Sequence, residues 1–230
     1  EDKHFDFLKE LLNGRGFKFA GSFTIHDDPE LIASTIAYIA TLPNSVLFSF
    51  GVIGSTPDDH TRLAAARALS DGKLYLNSKF EQLIIERLGE RAYPHPIKMA
   101  MLPKDVTLLP NPINKMPGFA IMKRFFFMPG FPQMSHPMVE YALDNYFQGK
   151  EKQEYRYTLT ALCKENNFIE LMQSAPEGVE VSSLPAIYSD GWKTTISIAS
   201  TIKSKAVKEF EKYKSYLEES GISYGIGEKQ

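Results

Sequence analysis

The sequence predicts an α/β fold, a helix-covered sheet followed by a smaller α+β unit, and three observations lead there. Up to Phe50 helical and strand-like periodicities alternate, the order expected of strands joined by helical crossovers. Val46–Phe50 is a short, mostly apolar run, as in a strand buried on both faces of a parallel sheet. From Tyr155 onward the rhythm changes to longer alternating strands.

Phe5, Leu8 and Leu12 recur at helical spacing and Asn13-Gly14 stops the pattern, so residues 3–13 read as an amphipathic helix. Phe17, Phe19 and Phe23 occupy odd positions of a period-2 segment ending at Ile25, which reads as a strand. Asp27-Asp28-Pro29-Glu30 then opens a helix with an Asp cap, proline in the first turn and acidic side chains at the positive dipole end. Ile32, Ile36 and Ile39 form its buried stripe, and Pro43-Asn44-Ser45 breaks it before the apolar run. Helices follow at Arg62–Leu69 and Lys79–Leu88, the second opened by a Ser78/Glu81 capping box.

Nine of the fourteen prolines then fall between Pro94 and Pro137, around two strand-like pieces, Val106–Leu109 and Phe125–Met128. This stretch is too apolar for a linker and reads as rigid, ordered loops at strand ends, where α/β proteins place their sites. Polar Gln148–Lys152 marks a boundary between a first domain, 1–147, and a second, 153–222. The second reads as β-α-β-β-α: Tyr155–Leu162, Glu165–Gln173, Val179–Ser183, Lys193–Ser200, and a helix with Ile202, Ala206, Phe210, Tyr213 and Leu217 on one face. The Gly-Ile-Gly tail after Tyr224 reads as frayed.

Composition narrows the function. With 43% hydrophobic and 12% aromatic side chains in 230 residues, there is apolar surface for one large or two small domains, which excludes a disordered chain. Net charge is -2, which offers no electrostatic reason for a nucleic-acid partner. Cys163 is the only cysteine, so no intrachain disulfide forms and a reducing cytoplasm is expected. No apolar run approaches the roughly 18 residues of a membrane span. His26, His60, His95 and His136 lack ligand spacing and read as surface or turn residues, with His60 of interest for the aspartates beside it.

The most informative segment is Phe50–Thr61, between the apolar run and a helix. Gly51 and Gly54 permit a tight turn and close backbone approach, and Thr56, Pro57 and Asp59 fit N-cap, N1 and N3 of the next helix. Free N–H groups there favour an anion, while adjacent Asp58 and Asp59 would repel a bare phosphate and so suggest an intervening divalent cation. A well-capped helix after a glycine turn explains the same residues without a ligand. A second segment, Phe125–Met134, runs a buried strand into Pro129-Gly130-Phe131-Pro132, whose fixed backbone could line a phosphate or ring pocket.

In their order, Asp27-Asp28-Pro29-Glu30, Gly-x-x-Gly-x-Thr-x-Asp-Asp-x-Thr, Asn111-Pro112, Pro117-Gly118-Phe119 and Met-Pro-Gly-Phe-Pro-x-Met resemble the molybdopterin-binding domain family. The resemblance covers residues 2–140 and is closest to the branch found at the N-terminus of CinA-type proteins and beside FAD synthetase domains. It implies a three-layer α/β/α fold, a pterin or nucleotide pocket and, in the CinA-like branch, metal-dependent cleavage of the pyrophosphate of ADP-ribose or FAD. Carried onto this sequence, it implies that Gly51, Gly54, Ser55 and Thr56 contact phosphate or pterin. It likewise implies that Asp58 and Asp59 hold a divalent metal of the Mg, Mn or Co type or activate water, and that Gly130 and Pro132 wall the pocket. A non-catalytic molybdopterin- or nucleotide-binding module fits the same residues, and self-association of the chain is left open. Val52 replaces the family's second glycine, Asn114 another glycine and His4 an asparagine, and a central strand with an acidic loop is expected ahead of Glu1.

Overall fold

The computed structural model describes residues 2–51, 53–148, 153–189 and 191–227. They fall into two compact units, Glu1–Gly14 with Lys18–Lys150, and Arg15–Phe17 with Glu151–Gln230. Val52 and residues 149–152, which include most of the expected boundary, lie outside the described residues.

The first unit is built on a four-stranded sheet of β1 (Leu47–Gly51), β6 (Phe125–Pro129), β5 (Gly118–Ile121) and β4 (Thr107–Leu109), in that spatial order, and the short β2 (Tyr75–Leu76) and β3 (Met101–Leu102) pair separately from it. The β1–β6 pair is parallel, whereas β6 with β5 and β5 with β4 pair antiparallel, so β5 alone runs against the other three. The sequence reading of a parallel sheet is thus corrected to a mixed one. The cause is local: Met122 and Lys123 both take positive φ, 56° and 51°, and close β5 onto β6 as a hairpin, leaving no crossover. β1 is half-buried, against the expectation of burial on both faces.

Alternation along the strands feeds two helical layers. Phe119, Ile121, Phe125 and Phe127 face α2 (Pro29–Thr41), α3 (Thr61–Leu69) and α4 (Ser78–Leu88), meeting Ile36, Ile39, Ala64, Ala65, Phe80 and Ile84 in one core. Phe126, on the other parity, meets Tyr146 of α5 (Pro132–Tyr146) and Phe147, while Phe50 meets His4 just ahead of α1 (Phe5–Gly14). The expected α/β architecture, in three layers, is present. Gly118 is required by packing, because a Cβ there would strike the Phe127 carbonyl and Met138.

Several elements differ from their sequence reading. Residues 17–25 form no strand, and Phe23 is 56% exposed; Phe19 and Phe23 pack by their rings on Phe5 and Tyr38 instead. No strand pairs with this segment among the described residues, and period-2 hydrophobicity without a partner does not make a ladder. α4 is capped by Asn77, which accepts from the Phe80 N–H, one residue ahead of the expected Ser78. α5 begins inside the stretch whose prolines predict ordered loops. Pro132 fits N1, where no N–H is needed, and Pro137 removes a single hydrogen bond of the second turn.

The second unit is an antiparallel sheet of β10 (Tyr224–Ile226), β7 (Tyr155–Ala161), β9 (Gly191–Ser200) and β8 (Glu180–Tyr188). Leu159, Ala161, Ile196 and Ile198 pack against Phe210, Tyr213 and Leu217 of α7 (Lys203–Glu219) and against Phe168, which precedes the short α6 (Ile169–Gln173). Ile202 lies ahead of α7 and is exposed, unlike the rest of the stripe. The tail is not frayed: Tyr224–Ile226 pairs with Leu159–Ala161 as a fourth strand. Among the described residues no helix is long and apolar enough to cross a membrane.

Arg124 ties the β5–β6 turn to the end of α2. Its Nε donates to the Ser45 carbonyl at 2.6 Å and its Nη2 to the Leu42 carbonyl at 2.5 Å and the Ser45 hydroxyl at 2.7 Å. A cation on carbonyls at and just beyond a helix C-terminus is favourable in both charge and hydrogen bonding. Arg124→Ala is expected to cost about 2–3 kcal/mol in urea unfolding, with Arg124→Lys recovering part of it, because charged hydrogen bonds carry roughly 1.5–3 kcal/mol.

Candidate functional site

Two parallel strands end on the same edge of a sheet, and here they end together: Gly51 of β1 is paired with Pro129 of β6. Each strand then runs through a loop into a helix, β1 into α3 and β6 into α5. The backbones stay close, since a Cβ on Gly130 would lie 4.0 Å from the Gly51 nitrogen. Neither α3 nor α5 has a side-chain cap; His60 and Phe131 occupy the two N-cap positions without one. The first hydrogen bond of α3 is from Ala64 N–H to the His60 carbonyl, so the N–H groups of Thr61, Arg62 and Leu63 have no acceptor within the helix.

The glycine loop is shaped by Asp59. Its carboxylate is 9% exposed and turned back into the loop, where Oδ1 accepts from the Gly54 N–H at 3.0 Å. Oδ2 accepts from the Thr56 N–H at 2.5 Å and from the Thr56 hydroxyl at 2.8 Å. Gly54 is needed for this, because a Cβ would sit 3.0 Å from that same oxygen. The requirement is one of space: neither Gly51 nor Gly54 has positive φ. Thr56, Pro57 and Asp59 therefore do not cap the next helix, as their spacing suggested; α3 starts only at Thr61, after the loop has closed on Asp59.

The two aspartates, adjacent in sequence, have different surroundings. Asp58 is exposed, and hydrogen bonding from Thr56, then from its own backbone N–H, holds its carboxyl below the usual range, with a smaller contribution from the charge of His60. It is ionised at neutral pH. Arg62 is buried beside Asp59 and donates from Nη1 to the Lys98 carbonyl at 2.7 Å, and burial lowers its pKa against the opposing effect of Asp59. Gly51 lies against Thr61, whose Oγ1 would be 3.3 Å from an added Cβ; Ser55 is half-buried in the loop; Pro132 is N1 of α5. Among the described residues no group of three His, Cys, Asp or Glu side chains is placed to hold a metal ion. Asp58 is the exposed carboxylate of this loop.

The structure adds two residues that spacing did not connect. His4 stacks on Phe50 with ring centroids 4.2 Å apart, and its Nε2 lies 3.1 Å from the Gly130 carbonyl. Its Nδ1 lies 3.3 Å from Nε2 of His136, which itself stacks on Phe7 at 3.6 Å. Because a carbonyl only accepts, His4 donates from Nε2, and in neutral His4 the Nδ1 then accepts from His136. The residues are 132 apart in sequence, so no local motif could have paired them.

Residues 1–148 match the model of the probable molybdopterin binding domain, and the chain belongs to that family. It is 30% identical over 188 residues to a CinA-like protein of Citrifermentans bemidjiense, covering 78% of this chain and 45% of that protein. It is 28% identical over 224 residues to a CinA-like protein of Pseudothermotoga lettingae, covering 93% and 54%. The chain thus spans about half the length of these curated relatives. A crystal structure of the protein CinA, of unknown function, from Thermoplasma acidophilum superposes with a TM-score of 0.56 at 22% identity, over 64% of this chain and 88% of that one. The family resemblance drawn from the loop motifs is borne out, as is the α/β fold.

The geometry separates the roles of the two aspartates. Asp59→Asn replaces an acceptor oxygen by a donor facing the Gly54 or Thr56 N–H, and is expected to lower unfolding stability by about 1–3 kcal/mol, as for other buried unpaired groups. Asp58→Asn should lie within about 0.5 kcal/mol of the parent chain. Thermal and urea denaturation of the two single variants distinguish them.

His136 provides a pH test. Burial, then the charge of His4, pushes its pKa below the ordinary histidine value, with Glu140 opposing. The unfolded chain therefore takes up this proton at a higher pH than the folded one. Stability associated with His136 is complete above the unfolded value near 6.5 and is lost as pH falls from there toward the folded pKa. Urea unfolding at pH 7.5 and pH 5 should show a smaller drop for His136→Phe than for the parent chain; an equal drop would contradict this assignment.

Proposed function

We propose that the first unit binds a compact diphosphate-containing ligand, a nucleotide or a pterin, at the paired loops 51–60 and 129–132. One observation carries this reading: two uncapped helix N-termini follow the ends of two adjacent parallel strands. Unsatisfied N–H groups and the positive ends of two helix dipoles there favour an anion, and the crevice beyond the carboxyl ends of parallel strands is the usual ligand position in α/β sheets. Thr61, at the start of α3 and against Gly51, adds a hydroxyl, and Arg62 adds positive charge behind the loop. His4 and His136 offer ring surfaces and imidazole nitrogens beside Gly130.

Membership of the molybdopterin-binding domain family supports a pterin or nucleotide as the ligand class. Asp59 is committed to the loop's own N–H groups, and a single exposed carboxylate, Asp58, does not by itself make a divalent-cation site, so the reading runs through binding alone. Turnover is the second reading, and the ionised, exposed Asp58 is the feature that favours it. In that case Asp58 would help to hold a metal that polarises the pyrophosphate.

Calorimetric titration with ADP-ribose and with FAD tests the binding reading. Gly130→Val fills the space beside the Gly51 nitrogen at ordinary contact distance and should leave the fold intact while weakening ADP-ribose or FAD by about tenfold or more. Binding that is absent, or indifferent to Gly130→Val, would refute the site. Product chromatography after incubation of ADP-ribose with Mg, Mn or Co decides on turnover: appearance of AMP and ribose 5-phosphate, lost in Asp58→Asn, would make the protein a hydrolase.

A further inference from the structure

A cleft of about 700 Å³ opens in the first unit between α4, α5 and the loop that joins β4 to β5, and it shares no lining residue with the paired loops. Its walls are apolar, with Leu83, Leu108, Pro117, Pro137 and Tyr141 among them. Its charged residues are two lysines, Lys79 and Lys115, and no carboxylate lines it. Neither lysine has an ion-pair partner among the described residues. The volume falls within the roughly 300–1,000 Å³ of small-molecule pockets, which favours a small ligand over a protein surface.

Both lysines occupy positions that local physics disfavours. Lys79 lies in the first turn of α4, where the helix dipole repels a cation. Lys115 holds φ at 60°, the left-handed region that favours glycine or asparagine, although Asn114 is the adjoining residue. Asn111, 2% exposed, belongs to the same lining. Its Oδ1 accepts from the Ile113 N–H at 3.0 Å, which fixes the amide, and its Nδ2 has no hydrogen-bond partner. Departures from local preference that converge on one concavity mark a functional surface. Two lysines without an ion-pair partner on an apolar cleft are complementary to one kind of occupant, an anion with an apolar body.

We propose that this cleft is a second binding site, for a small amphipathic carboxylate. The apolar or aromatic body lies against Leu83, Leu108 and Tyr141, and the carboxylate is held by Lys79 and Lys115.

The test uses naphthalene-2-carboxylate and its uncharged isostere 2-naphthamide as probes, followed by methyl NMR of the whole chain. The carboxylate is expected to shift the Leu83 and Leu108 methyls and to bind about tenfold or more tightly than the amide, in keeping with charge-assisted hydrogen bonds. In the double variant Lys79→Gln, Lys115→Gln that preference should vanish; both lysines are exposed, so the fold is retained. Gly130→Val should leave carboxylate binding unchanged. Equal affinity for the two probes, shifts confined to other methyls, or a preference that survives in the double variant would overturn the proposal. Loss of carboxylate binding in Gly130→Val would merge the cleft with the paired loops and also overturn it. Concentration-dependent sedimentation abolished by the double variant would assign the cleft to a second copy of the chain instead.

Discussion

Parallel pairing of β1 with β6 is the constraint on which the first unit depends. Parallel neighbours must finish on the same edge, and with Gly51 opposite Pro129 their exits coincide residue for residue. Everything described at the paired loops follows from that register. The two backbones run side by side, a Cβ on Gly130 lying at ordinary contact distance from the Gly51 nitrogen, and each strand leads through its loop into a helix. A slip by one residue would turn Phe125 and Phe127 out of the core shared with α2, α3 and α4, so burial of those rings holds the register in place.

The site is electrostatically divided. Asp59 spends its charge on backbone donors of its own loop, with Arg62 buried close by, and so behaves as part of the scaffold. Asp58, one residue earlier, is left facing solvent and ionised. A carboxylate that closes its loop from the inside leaves the N–H groups of the following helix without a side-chain cap. That is why an Asp-rich loop can precede an anion-attracting helix start. The His4–His136 pair adds a polar contact between residues near the two loops and α1, with both rings stacked on phenylalanines that exclude water from one side.

The proline-rich stretch has two roles in this arrangement. Pro132 starts α5 directly after Gly130 and so fixes where the second loop ends. The 110–117 loop, held by Asn111 and Asn114 accepting from nearby backbone N–H groups, builds a wall of the cleft and carries Lys115 in its left-handed conformation. Rigid loops of this kind hold side chains in place at little further entropic cost, which suits a binding surface.

The sequence by itself determined the alternation of elements, the Asp28 cap with Pro29 behind it, the apolar faces of α2 and α7, and the glycine and proline loops whose motifs carried the family resemblance. These depend on neighbours a few residues apart, where periodicity and capping chemistry act directly. Pairing was decided only by the tertiary structure. Phe17–Ile25 alternates like a strand yet has no strand beside it among the described residues, while Tyr224–Ile226, too short to register as a strand, is held by β7. The same holds for the site. Asp58 and Asp59 are a symmetrical pair in the sequence, and His4 and His136 are unrelated there. A carboxylate's role depends on which donors face it and a histidine's on what it stacks against, and both are set by contacts that form only when distant segments are brought together.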